Sequence, residues 1–137
     1  MKSVTNIEQI ISAREWCKDV ISDNGLDLTV FEHSYDNKNL PNEFLLVKSI
    51  NQTDDGRPIN DGTIEICIYV ANLGKGDDQS QPNLSRLNDL TNIFIPALKD
   101  ASKNKIAFND FRTTLVHDSD IRYFYQSIVI NTVSINI

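Results

Sequence analysis

The chain has 137 residues, 40% hydrophobic and 23% charged, which points to one globular domain spanning residues 1–137. A chain of this size buries about 68% of its unfolded surface, enough for a core without metal or disulfide staples. Its 19 acids against 13 bases give a formal charge of -6, which excludes a protein whose main work is tight nucleic-acid binding, because that requires clustered Lys and Arg.

Thr5 opens the first helix. In "TNIE" the Thr5 hydroxyl can accept the Glu8 amide while Glu8 reaches back, a capping box. Ile7, Ile10, Ile11, Cys17, Val20 and Ile21, bordered by Ala13 and Trp16, form an apolar stripe at helical spacing. Gly25 in "SDNG" suits the left-handed position that closes a helix. "LTVFEHSY" reads as a short strand broken by "NKNLPN", and Glu43–Gln52 as a second strand. "TDDGRPINDG" has the Asp, Gly and Pro of a hairpin turn. "TIEICIYV" alternates, with Ile64, Ile66, Ile68 and Val70 on one face and Glu65, Cys67 and Tyr69 on the other.

After the polar loop "ANLGKGDDQSQPNLSRL", a second helix is predicted over Asn83–Ala101, burying Leu84, Leu87, Leu90, Phe94, Ile95 and Leu98. Pro96 predicts a kink near Asn92–Ile93 or an early stop. Two closing strands, "KIAFNDFRTTLVH" and "RYFYQSIVINTVSINI", flank a turn at "DSDI". In the last one the apolar phase changes from Phe124, Ile128 and Ile130 to Val133, Ile135 and Ile137. A bulge near Asn131–Thr132, or a strand end covered by a neighbouring chain, accounts for that change. The order α-β-β-β-α-β-β predicts an α+β fold, a mainly antiparallel sheet with two helices packed on one face. Leu45, Val47, Tyr69, Tyr123 and Tyr125 are candidates for the other face.

Reactive constellations are sparse. The loop Gly74-Lys75-Gly76-Asp77-Asp78 lacks the GxxxxGK[ST] pattern and sets two carboxylates where a phosphate would approach. Asp77, Asp78 and Asn83 offer oxygen ligands but lack calcium-loop spacing. Their place before the second helix suits its dipole, so the loop reads as a mobile polar connection. Cys17 with His33 is a conceivable thiol site, but Cys17 belongs to the apolar stripe. His117-Asp118-Ser119-Asp120 are neighbours in a turn and cannot converge as a triad. Cys17 and Cys67 have no metal spacing and read as packing thiols. No catalytic, cofactor-binding or metal-binding residue is assigned, and the chain is expected not to be an enzyme. Met1–Thr5 leads into a helix without a signal-peptide pattern, and no apolar run reaches the ~20 residues of a membrane span; folding in a cytoplasm is expected.

The leading helix, the segment "LPNEFLLVKSI", the strand "TIEICIYVANL", the helix "NLSRLNDLTNIFIPAL" and the closing "FYQSIVINTVSINI" together resemble the tail terminator (tail completion) and neck proteins of long-tailed bacteriophages. The resemblance covers nearly the whole chain. It implies a small α+β virion protein, made in the host bacterial cytoplasm, that forms a ring, typically a hexamer, at the head-proximal end of the tail. Its partners would be further copies of itself, the tail tube protein and a head–tail connector or neck protein, with no tight nucleic-acid binding and no membrane. The family has no catalytic residues to carry over. The hairpin around Asp54–Gly62 is shorter than an interlocking arm. On this reading Asp54, Asp55, Asp61, Lys75, Asp77 and Asp78 are loop residues facing the lumen or the next ring, and Val133, Ile135 and Ile137 meet the neighbouring subunit. Two other classes fit the residues: an acidic inhibitor or immunity-type protein that blocks a basic partner, and a small enzyme or ligand-binding domain with a deep pocket.

Overall fold

The computed structural model describes residues 4–36, 38–52, 59–75 and 78–135. The elements run α1 (Asn6–Asp23), β1 (Thr29–Glu32), β2 (Glu43–Gln52), β3 (Ile59–Ala71), β4 (Leu73–Lys75), β5 (Asp78–Gln81), α2 (Leu84–Ala97), β6 (Ser102–Lys103), β7 (Ile106–Asp118) and β8 (Tyr123–Ile135). The class is α+β, as the element pattern predicts. Six strands form one sheet in the order β1-β2-β3-β8-β7-β6, and β4 and β5 form a separate two-stranded sheet. All pairings in the large sheet are antiparallel except β1 with β2.

The ends of α1 are built by local chemistry. The Glu8 amide donates to the Thr5 hydroxyl at 3.1 Å, satisfying an N-terminal donor. At the other end Gly25 takes φ +63°, its amide reaches Ser22 O, and the Leu26 amide reaches Ile21 O. This is the two-bond closure that favours glycine at its left-handed position. The buried face of α1, however, is rotated from the predicted stripe. Gln9, Ser12, Ala13, Trp16, Cys17, Val20 and Ile21 are inside, while Ile7 is 63% exposed. The rotation has a polar cause. Gln9 is fully buried; its Nε2 donates to Thr132 Oγ1 at 2.8 Å, and its Oε1 accepts from Ser49 Oγ at 3.5 Å.

That contact also explains the changed phase of the last strand. The β3–β8 register is unbroken from Ile59↔Ile135 to Ala71↔Tyr123, so β8 has no bulge at Asn131–Thr132. Thr132 and Ser134 continue the face of Ile128 and Ile130 and are buried, so the helix side turns from apolar to hydroxyl-bearing where Gln9 arrives. The irregularity sits instead in β7, between Phe108 and Phe111. The predicted bulge is therefore one strand away.

Both helices share one core with the sheet. Leu45, Val47, Ile64, Ile66, Ile68, Val70, Ile128 and Ile130 face residues of α1 together with Leu87, Leu90 and Phe94 of α2. Leu45 and Val47 therefore lie on the helix side and not on the opposite face, because Leu45 pairs with Ile68 and Val47 with Ile66. Trp16 joins the layers, packing edge-on against Phe94 at 6.2 Å and Phe108 at 5.4 Å. Asn83 caps α2 by accepting the Arg86 amide, and the Arg86 guanidinium makes a two-pronged ion pair with Glu43 at the start of β2. Of the two outcomes expected from Pro96, the early stop occurs: α2 ends at Ala97, well short of Ala101. Leu84 at its first turn is 56% exposed.

Three elements depart from the predicted order. The polar loop after β3 holds the small β4–β5 hairpin. β6 turns into β7 through Asn104 and Lys105, both at positive φ, as a tight two-residue turn needs. Its residues dock on α1 through Lys103–Asp19 at 2.8 Å and Asn104–Glu15 at 2.7 Å. Ile59–Gly62 belong to β3 rather than to the preceding turn.

Replacing Thr132 with Val strands the buried Gln9 amide, and we expect a loss of about 1–3 kcal/mol in urea denaturation. Replacing both, Gln9→Leu with Thr132→Val, should recover much of that loss. A double variant no more stable than the single one would contradict this account of the α1 register.

Candidate functional site

The sheet face without helices carries an aromatic ladder. Phe44, Tyr69 and Tyr125 are directly opposite one another on β2, β3 and β8. Their rings stack, with centroids 4.5 Å apart in both pairs and interplanar angles of 11° and 25°. Tyr123 and the partly buried Phe31, Tyr35 and Leu40 complete this second cluster. Tyr69, Tyr123 and Tyr125 thus occupy the face expected of them.

The segment after β1 folds onto this face because His33 takes φ +66° and reverses the chain, its amide still bonded to Val47 O at 2.8 Å. Asp118, at the end of β7, then fixes it. Its Oδ2 accepts from Tyr35 OH at 2.8 Å and Tyr69 OH at 3.2 Å, and its Oδ1 accepts from the Asp120 amide at 3.3 Å. One carboxylate therefore ties the β1–β2 connection, the middle of the sheet and the β7–β8 turn together. Tyr123 OH donates to Pro41 O at 2.7 Å and pins the far end of the same segment. An open cleft of about 480 Å³ remains above Tyr69, rimmed by His33, Lys48, Asp118 and Asp120.

The cleft gathers charged groups, and of these the Asp118 carboxylate is bonded within its own chain. Asp118 and His117 are consecutive strand residues and leave opposite faces; the His117 ring stacks on Phe124 at 4.4 Å, away from Asp118. Burial foremost raises the Tyr35 phenol, followed by its hydrogen bond to Asp118, so the phenol stays protonated and donates. Burial likewise raises Tyr69. Cys17 sits fully buried beneath α1, its thiol pushed upward by desolvation, while His33 rims the cleft on the other side of the sheet. The structure does not bring Cys17 and His33 together. Among the described residues no group of three His, Cys, Asp or Glu could hold a metal ion, and no helix is long and apolar enough to cross a membrane.

The residues expected at loops and subunit contacts are scattered. Asp61 is exposed but is a strand residue paired with Val133. Lys75 and Asp78 pair with each other across the β4–β5 hairpin. Val133 is half-buried, and Ile135 pairs with Ile59. Asp54, Asp55, Asp77 and Ile137 lie outside the described residues.

The edges of the sheet carry a feature that the sequence pattern left unmarked. β6 pairs with only the first residues of β7, at Lys103↔Ile106 and Ser102↔Ala107. From Asn109 to Asp118 the outer side of β7 has no strand partner among the described residues. Phe111 and Leu115 share the parity of Ile130 and Gln126, on the helix side, yet are 42% and 44% exposed because neither helix extends over this part of β7. A cleft of about 320 Å³ between α2 and β7 runs beside Leu115, lined also by Leu84 and Leu87 among others. The opposite edge of the sheet is β1.

No known protein-family model matches this chain, and no curated protein matches it.

Asp118→Ala removes the acceptor of two phenols, one of them on the buried Tyr69. It should cost about 2 kcal/mol in urea, against about 1 kcal/mol for Tyr35→Phe. Equal effects would show that Asp118 does not hold the segment. A second expectation concerns pH. Cys17, Cys67, Tyr35 and Tyr69 are all raised above the ordinary values of 9.0 and 10.0. The unfolded chain loses those protons first, so their contribution is intact below about pH 9 and is lost as pH rises through both ordinary values and beyond. Denaturation midpoints at pH 8.0 and 10.5, compared at equal salt, should fall; a flat profile would contradict it.

Proposed function

We propose that this chain works by shape, as a structural subunit that joins copies of itself into a closed ring at the head-proximal end of a phage tail, capping the tail tube and linking it to the head. The observation that supports this most is the pair of sheet edges, β1 and the outer side of β7, that carry no further strand among the described residues. A ring needs a heterologous contact, in which one surface of each subunit meets a different surface of the next. A sheet with two unlike edges, the short β1 and the outer side of β7 with its exposed Phe111 and Leu115, supplies such surfaces, and a long open edge like that of β7 is a template for pairing with another chain.

The chemistry of the open face is consistent with a non-enzymatic role. The carboxylate of Asp118 accepts three hydrogen bonds from its own chain, and its neighbour His117 is turned to the other face. The charge of -6 suits a lumen through which DNA slides without adhering. On this reading Asp54, Asp55, Asp77 and Asp78, with the exposed Asp61 and with Lys75, line that path or meet the next ring. The net charge also favours a second reading, an acidic protein that blocks one basic partner.

Mass photometry of the purified chain should give a single species at a small multiple of 15.5 kDa, a hexamer on the family resemblance, and that species should bind purified tail tubes. A monomer both alone and with tail tubes would remove the ring reading. A monomer that instead forms a salt-sensitive complex with one basic protein would establish the second reading.

A further inference from the structure

The sheet itself specifies how two copies can meet. β1 runs parallel to β2; β3 opposes β2, β8 opposes β3, and β7 opposes β8. β1 and the part of β7 beyond β6 therefore run in opposite directions. A second copy set beside β7 with its helices on the same side presents its β1 antiparallel to β7, the more stable way to pair. We propose that the partner of the β7 edge is β1 of a second copy, in the register that sets Thr114 opposite Thr29. This inference rests on the ring reading and gives it an interface.

The register follows from three constraints. Side chains opposite one another must leave the same face, so the exposed Phe111 and Leu115 must meet the helix-side residues of β1, which have the parity of Val30. The irregularity of β7 between Phe108 and Phe111 spoils regular pairing there, so the four residues of β1 must lie beyond it. Phe111 must nevertheless be covered; in the proposed register it comes opposite Glu32, whose carboxylate is held by Arg14 at 2.7 Å on its own chain, so it is the methylene stem of Glu32 that lies against the ring. With Thr114 opposite Thr29, β1 spans Phe111 to Thr114, clear of the irregularity. Leu115 then meets Leu28, which on its own chain is a half-buried neighbour of the helix-side core. The cleft between α2 and β7 opens beside Leu115 and can accept the incoming leucine. On the other face Arg112 comes opposite Phe31, a cation over an aromatic ring. Sliding β1 by two residues one way drives it into the irregularity at Asp110. Sliding it the other way uncovers Phe111 and sets Arg112 against His33.

Thr29 and Thr114 are both exposed, and the two native thiols are buried, so cysteine cross-linking can read this contact. The double variant Thr29→Cys/Thr114→Cys, oxidised and run on a non-reducing gel, should give a ladder of covalent multimers ending at the ring. Mixing the two single variants should give dimers only, and neither single variant alone should cross-link. Assembly by mass photometry without cross-linking would overturn the register while leaving the ring. So would efficient cross-linking of Thr113→Cys by itself, which would signal a two-fold pairing of β7 with β7. A monomer at every concentration would overturn both proposals. As a check independent of cysteine chemistry, Leu115→Lys should weaken assembly at least tenfold with little change in urea midpoint; an unchanged assembly would overturn the seam.

Discussion

The β3–β8 pair is the constraint on which the rest of this molecule depends. Thirteen residues of each strand stay in register, and every neighbouring element takes its face from that alternation. Ile64, Ile66, Ile68 and Val70 point to the helices; Cys67 and Tyr69 point to the aromatic side. A one-residue slip would exchange the two sets between the helix side and the aromatic side, which makes the register strongly specified. Because β3 and β8 are central, the strands beyond them are built outward, and on the β7 side the sheet extends past the helices.

That end is uneven. α1 lies over β1, β2, β3 and the turn at β6, and α2 over β3 and β8. On the outer part of β7, Phe111 and Leu115 are left about half exposed on the helix side. A monomer usually blunts such an edge with charge, proline or a bulge. Here the irregularity at Asn109–Asp110 blunts only its beginning, and the following "FRTTLV" is β-prone. The opposite, helix-free face is treated differently: the segment following β1 is folded over it and held by Tyr35 and Tyr123 at its two ends. The helix-free face is thus closed internally, while Phe111 and Leu115 on the other side stay about half exposed. This contrast is what separates a reading by shape from a reading by chemistry.

Much of the fold was legible in the residues. The period of two in "TIEICIYV", the cap at Thr5, the left-handed glycine at residue 25 and the stop near Pro96 each have a local cause, and each appears in the structure. What escaped depends on contacts distant in sequence. Gln9 is polar and reads as solvent-facing, but Thr132 lies 123 residues away and satisfies it, so the helix turns. Thr132, bonded to Gln9, and Ser134, whose buried hydroxyl has no partner among the described residues, hid the true phase of β8. The Tyr35–Tyr69–Asp118 contact joins residues on three elements and has no sequence spacing to announce it. The edge of β7 was illegible because "KIAFNDFRTTLVH" carries no mark of which strand it lacks; only the sheet order reveals an open side.

Amide hydrogen exchange at two protein concentrations tests the edge-to-edge account most directly, because backbone groups on an unpaired edge exchange quickly and those in a ladder do not. The account requires amides on the outer sides of both β1 and β7 to gain protection together at the higher concentration, while the β3–β8 ladder stays protected at both. Rapid exchange along β7 at every concentration, in a sample whose central ladder is intact, would contradict it.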